Sequence, residues 1–294
     1  MLFAARLAGA GIEVTLLGSW PAGLSALRAR GVTLFAADGS SKREPVRVAS
    51  DPAEVGEVDQ AIVLVKSHQT ERAAAQLSAI LKKDGVALTL QNGLGNDAIL
   101  ARTLGPDRAA RGVTTLGAYV RAPGEVQAAG EGRLTLERHP RLDRLVDLLR
   151  VAGFGVQVVE DARPAIWAKL VVNAAVNPLT ALLGVKNGEL WDRPAARELA
   201  LGLADEAAQV ARAAGVALPF DDPAPVLERV LRQTAANRSS MLQDVLRGAP
   251  TEIDAINGAL VREAERLGLP AALNRTILLL MVAFSGGHGN INAE

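Results

Sequence analysis

The chain has 294 residues, 49% of them hydrophobic, with 32 Lys and Arg balanced by 32 Asp and Glu, which is the composition of a globular protein long enough for two domains. No block of like charge marks a nucleic-acid or membrane surface, so the expected partner is a small molecule. The absence of cysteine excludes disulfides, thiolate catalysis and cysteine-ligated metals, and His68, His139 and His288 are too scattered to suggest a zinc site.

The apolar opening, residues 1–10, carries Arg6 and is too short for a signal sequence or a membrane span, so a cytoplasmic location is the default expectation. Periodicity predicts a helix over 2–10, a strand over 12–17 and a helix over 24–30. Residues 32–36 and 46–49 read as a hairpin about Asp38-Gly39, with Ser41-Lys42-Arg43-Glu44 as a solvated loop. The apolar run 61–65 suits a buried parallel strand. Alternation continues with a helix over 69–81, a strand over 86–90, a helix over 97–104 and a strand over 110–116. Residues 126–127 and 134–136 read as an antiparallel addition, followed by a helix over 142–151 and a last strand over 156–159.

Beyond Asp161 only helical patterns remain, over 166–183, 195–214, 225–236, 251–267 and 271–284, with fraying expected over 285–289. The fold expected is therefore α/β, a doubly wound, Rossmann-like parallel sheet over 1–161 followed by an all-α domain over 162–294.

Within the first helical pattern, Lys169, Asn173 and Asn177 stand four and eight residues apart in an otherwise apolar run. Helical spacing stacks them along one side, and burying an amine and two amides costs several kcal/mol unless each finds a partner. Two readings stay open: a polar ligand site, or a core helix with polar groups reaching outward. Pro178 predicts a kink, with Asn177 capping a new segment.

Gly93-Leu94-Gly95-Asn96 follows a strand and opens a helix, as a dinucleotide loop does, but no acidic residue ends a following strand at the required distance. The other reading makes Gln91-Asn92-Gly93 a loop at the carboxyl end of a strand, where such sheets bind ligands, with Lys66 in an equivalent place after 61–65. The run Asn237-Arg238-Ser239-Ser240 suits an anion site at a helix start or plain capping. Glu252 in a first helical turn is favoured by the helix dipole, and Asn187-Gly188-Glu189-Leu190 reads as a turn.

Four stretches together are more specific: LVKSHQ from Leu64, QNGLGN from Gln91, WAKLVVNAAVNPLTALLGVKNGEL from Trp167 and NRSSMLQDVLRGAPTEIDAINGALV from Asn237. In these the chain resembles the ketopantoate reductase (2-dehydropantoate 2-reductase) family over both domains. The resemblance implies NADPH-dependent reduction of 2-dehydropantoate to (R)-pantoate in pantothenate and coenzyme A biosynthesis. It implies Lys169 as general acid and Glu252 as the site glutamate, also near the cofactor. Asn92, Asn173, Asn177, Asn187, Asn237, Ser239 and Ser240 would bind substrate, with Ser240 holding its carboxylate. Lys66, Asn92, Ala118 and Ser19 would lie along the cofactor. A 2-oxo acid is the partner implied, with no nucleic acid, membrane or metal, and a homodimer is left open.

Two departures qualify the resemblance. The family opens on a strand and a G-x-G-x-x-G turn that do not precede the helix at 2–10, and Ser19 stands where an arginine usually binds the NADP 2′-phosphate. The expectation drawn is an upstream strand and turn in the natural protein, with weak NADPH binding and edge aggregation without them. Other readings are a different two-domain hydroxyacid dehydrogenase or a cofactor-free binding protein.

Overall fold

The computed structural model describes residues 1–130 and 132–288. They form two compact units, one of Met1–Val65, Gln69–Gln91 and Asp97–Ala162, the other of Lys66–His68, Asn92–Asn96 and the chain from Arg163 onward.

The first unit opens on α1 (Leu2–Gly9) and β1 (Thr15–Leu17). β1 is shorter than the 12–17 pattern: the ladder begins at Thr15, and Ile12 and Val14 pack on the core ahead of it. After α2 (Pro21–Arg30), the strands β2 (Val32–Phe35), β3 (Ser41–Glu44) and β4 (Arg47–Ala49) correct the expected hairpin. β2 pairs antiparallel with β3, while β4 pairs parallel with β1. The cause is local. Asp38 Oδ1 accepts from the Ser40 amide at 2.9 Å and its hydroxyl at 2.6 Å, closing the turn early, and Pro45 brings no N–H to extend the ladder. The partner strand is thus the charged stretch taken for a loop.

The sheet continues with β5 (Val58–Val63), α3 (Thr70–Ile80), β6 (Leu81–Thr89), α4 (Asn96–Leu104) and β7 (Ala109–Thr114). Then come β8 (Ala118–Ala122), β9 (Glu125–Ala128), β10 (Arg133–Glu137), α5 (Asp143–Val151) and β11 (Gly155–Val159). One sheet has the order β11-β10-β7-β6-β5, with β5, β6 and β7 parallel and β10 antiparallel to β7. A second has the order β3-β2-β9-β8, so the two segments expected to add together lie in different sheets. β5 pairs with β6 alone and β1 with β4 alone among the described residues.

Alternation along β6 builds both faces. Val86 and Leu88 pack with Phe3 and Leu7 of α1 and Leu145, Val146 and Leu149 of α5, whereas Ala87 faces Ala74, Leu77 and Ile80 of α3 and Leu100 of α4. Each such buried leucine contributes about 1.5–3 kcal/mol. Helices cover both faces, the doubly wound plan expected.

The second unit is built around α6 (Arg163–Leu183). It includes α7 (Asn187–Asp192), α8 (Pro194–Ala213), α9 (Pro223–Gln233), α10 (Ser240–Leu246), a π-helical turn (Asp254–Gly258), α11 (Ala259–Arg266) and α12 (Ala272–His288). Among the described residues α6 alone is long and apolar enough to cross a membrane, and its burial against α8, α10 and α12 accounts for that apolarity. α8 meets it with a stripe of small side chains, Ala200, Ala204, Ala207, Ala208 and Ala211, all buried.

Three expectations change here. α6 runs through Pro178 as one helix, so Asn177 caps no new segment. The supposed turn at Asn187 is α7, where Glu189 Oε1 accepts from the Lys186 amide at 3.0 Å. α12 continues to His288 rather than fraying after Phe284, and Gly289 lies outside the described residues.

Candidate active site

A buried carboxylate, Glu252, stands at the centre of the candidate site, 6% exposed and just ahead of the π-helical turn. Its Oε1 accepts from the Ser67 amide at 3.1 Å and the Ser67 hydroxyl at 3.0 Å, and its Oε2 accepts from Asn92 Nδ2 at 3.1 Å. Lys66 Nζ lies 3.6 Å from Glu252 Oε2 and donates to Asp244 Oδ2 at 2.6 Å. Asp244 is 1% exposed and also accepts from Arg247 Nη2 at 2.9 Å. Lys66 is therefore no loose surface lysine. A buried carboxylate without these donors would cost several kcal/mol, so this set belongs together.

Two short segments bring the donors in. Residues 66–68 follow β5, and 92–96 follow β6, each at the carboxyl end of a parallel strand. Asn92 is fixed through its own carbonyl, which accepts from Ser67 Oγ at 3.2 Å and Asn96 Nδ2 at 3.0 Å. Gly93 follows with φ +83°, and a Cβ there would fall 2.2 Å from the Ala255 carbonyl oxygen, which accepts from the Leu94 amide at 3.0 Å. The glycine thus serves close packing on the π-helical turn. The Leu94 amide that a phosphate loop would need is already used.

On α6, Lys169, Asn173 and Asn177 share the helix, the first two partly exposed and Asn177 buried. Burial around the ammonium pushes the Lys169 pKa down to about 8, and the Glu252 carboxylate acts the other way. The net direction, which the sequence leaves open, is downward.

Ser239 caps α10, its Oγ accepting from the Leu242 amide at 3.1 Å and from Thr180 Oγ1 of α6 at 2.7 Å. Ser240 follows at the first helical position, partly exposed. Asn187 opens α7. Its amide donates to the carbonyl of the exposed Asn237 at 3.0 Å and its Nδ2 to Thr234 Oγ1 at 2.9 Å, leaving Oδ1 buried with no hydrogen-bond partner. Ser19, just after β1, and Ala118, in β8, are exposed residues of the other unit.

The geometry thus gathers Lys66, Asn92 and Glu252, ties Ser239 to α6 and pairs Asn187 with Asn237, and the Glu252 charge reaches Lys169. Sequence reasoning missed Ser67 and Asp244. A weak signal existed for Asp244, which falls three residues after Met241 on the buried face of α10. Ser67 gave none beyond its place after a strand.

A parallel sheet covered by helices on both faces, with a helical unit completing the chain, is the plan of Rossmann-like two-domain oxidoreductases. The chain belongs to the ketopantoate reductase family: residues 1–141 match the description "Ketopantoate reductase PanE/ApbA" and residues 161–284 match "Ketopantoate reductase PanE/ApbA C terminal". It is 41% identical over 236 residues to a 2-dehydropantoate 2-reductase of Archaeoglobus fulgidus, covering 79% of this chain and 78% of that protein. The crystal structure of a PanE/ApbA family ketopantoate reductase from Ralstonia eutropha matches with a TM-score of 0.91 at 32% identity, over 98% of this chain and 95% of that one. A D-mandelate dehydrogenase structure with NADH and anilino(oxo)acetate matches with a TM-score of 0.90 at 25% identity, over 97% and 95% of the two chains.

Proposed function

We propose that this protein reduces 2-dehydropantoate to (R)-pantoate with NADPH, the reaction that supplies pantoate to pantothenate and coenzyme A synthesis. Family membership supports the reaction class, and the observation that carries the site assignment is the buried Glu252 carboxylate, held by Ser67 and Asn92 with Lys66 beside it and raising the Lys169 pKa against its burial. Lys66 and Asn92 follow neighbouring parallel strands, where sheets of this plan bind dinucleotides, and the Lys66 side chain stays 34% exposed beside its carboxylate partners. When bound, the reduced nicotinamide supplies the hydride.

The chain's own residues supply the rest. As charge develops on the keto oxygen, the Lys169 ammonium stabilises it and gives up a proton from Nζ, so an N–H bond breaks and an O–H bond forms. A pKa near 8 keeps most of the lysine protonated at neutral pH and makes it a stronger acid than an ordinary lysine. Ser240 at the start of α10 would hold the carboxylate, with Asn173 and Asn177 orienting the chain of the substrate. The orphaned Asn187 Oδ1 is an acceptor of the kind a substrate hydroxyl would satisfy.

Ser240→Ala is expected to raise KM for the 2-oxo acid with kcat little changed, by roughly 1–3 kcal/mol for a lost charge-assisted hydrogen bond. Steady-state kinetics check this, and an unchanged KM would leave Ser240 as part of the helix start alone. Ser19→Arg is expected to shift preference towards NADPH over NADH, because a guanidinium holds a phosphate bidentately. Comparing kcat/KM for the two cofactors tests it.

A second reading is favoured by the match to D-mandelate dehydrogenase with NADH and by the serine at position 19: interconversion of another 2-oxo acid and 2-hydroxy acid with NADH. Initial rates with 2-dehydropantoate, aliphatic 2-oxo acids and aromatic 2-oxo acids, each with both cofactors, separate the two readings. Preference for an aromatic acid with NADH would overturn the first.

A further inference from the structure

Proline at position 178 removes the N–H that would bond the carbonyl four residues earlier, so Ala174 loses its regular i+4 donor within α6. That carbonyl is nevertheless satisfied. Asn257 Nδ2, in the π-helical turn that begins two residues after Glu252, donates to the Ala174 carbonyl oxygen at 3.0 Å. Asn257 is fully buried, and so is Asn274 of α12.

The amide of Asn257 can face only one way. Its Nδ2 also donates to Asn274 Oδ1 at 3.0 Å, and both neighbours, a carbonyl and an amide oxygen, are acceptors. Asn274 is oriented in turn, because its Nδ2 donates to Glu206 Oε2 at 2.9 Å and to the Leu203 carbonyl at 3.2 Å. Glu206 of α8 completes the chain by accepting from the amides of Leu273 and Asn274, each at 2.9 Å, at the start of α12. Asn257 Oδ1 is buried with no hydrogen-bond partner, a cost accepted to place Nδ2 on the two acceptors. A buried network of this kind fixes one arrangement of the elements it joins.

Ala174 is five residues beyond Lys169 and adjacent to Asn173, while the π-helical turn carries Glu252 at its entry and receives Leu94 of the Asn92 segment at Ala255. We propose that Asn257 is a positioning residue, docked on the carbonyl that Pro178 leaves without a donor, and that this bond, oriented through Asn274 and Glu206, sets the alignment of Lys169 with Glu252. The proposal rests on the reading of Lys169 and Glu252 as the working pair. Glu252 is the carboxylate that acts on Lys169, with Lys66 and Asp244 grouped around it, so a changed alignment alters how Lys169 titrates.

The test uses the full chain, with Asn257→Leu and the double variant Pro178→Ala/Asn257→Leu. The double variant returns an N–H to position 178, so Ala174 regains a donor inside α6 without any tie to the turn. Lys169 is read by carbon-13 NMR of labelled lysine, assigned with Lys169→Ala, and turnover is read beside it. Asn257→Leu is expected to lower Tm, to shift the Lys169 titration by about half a pH unit or more, and to lower kcat about ten- to a hundredfold with KM little changed. The double variant is expected to recover Tm while keeping the shifted titration and the low kcat. If Asn257→Leu is too unstable to purify, the double variant alone carries the test. A wild-type titration and kcat in either variant overturns the proposal, and so does recovery of kcat together with Tm, which would make Asn257 structural only. Failure of the functional reading looks different: wild type and Lys169→Ala would then turn over alike, while the titration still decides the positioning claim.

Discussion

Replacing Lys169 with alanine is expected to lower kcat by about 10²- to 10⁴-fold, the range for loss of a positioned general acid. As the proposed proton donor, the ammonium would act on charge that exists only in the transition state, so ground-state affinity for cofactor and substrate should change little. Stability should not fall with it. Burial holds the Lys169 pKa well below the ordinary lysine value, so the protonated amine opposes folding below about pH 8, and this opposition fades as pH rises towards the unfolded value. Removing the amine therefore removes a cost at neutral pH, set against the lost packing of its stem. Steady-state kinetics, NADPH fluorescence titration and a thermal melt on the two proteins check the three parts. Near-normal turnover would remove Lys169 from the chemistry.

Glu252→Gln should produce the second large effect, and its direction follows from two observations. The carboxylate raises the Lys169 pKa against the larger lowering by burial, and it sits beside Lys66. Glutamine keeps an acceptor for Ser67 but loses the charge, so the Lys169 pKa is expected to fall below about 8 and less ammonium is present at neutral pH. Turnover should drop, with the high-pH limb of the rate profile moving to lower pH. Glu252→Ala should be worse, because it leaves the Ser67 and Asn92 donors without their acceptor, at about 1–3 kcal/mol for each group left unsatisfied. A pH profile that does not move in the glutamine variant would show that Glu252 acts on something other than Lys169.

The parallel strands and the long buried helix were legible because their signal is apolar periodicity, which the core rewards on both faces of β6 and all around α6. β3 escaped because Ser41, Lys42, Arg43 and Glu44 offer no apolar face, and the strand exists through its ladder with β2 and the Asp38 turn. The polar row on α6 announced itself by contrast with its surroundings, whereas Lys66 and Glu252 stood out only by their places after a strand and in a helical turn, their roles coming from the resemblance. Nothing local could reveal that Asp244 holds Lys66, since the two are 178 positions apart. Pro178 was legible as a break in bonding but not in its outcome. The freed carbonyl is met by Asn257, 83 positions from Ala174, so the helix continues where a local rule ends it.

The pH dependence of 2-dehydropantoate reduction by the wild-type chain, with NADPH saturating, tests the central claim most directly. The lysine must be charged to act, so kcat/KM for the 2-oxo acid should hold through neutral pH and fall about tenfold per unit above a break near pH 8, with Lys169→Ala showing no such break. A value that stays level to pH 10, or a break that survives in Lys169→Ala, would contradict the assignment of Lys169 as the proton donor.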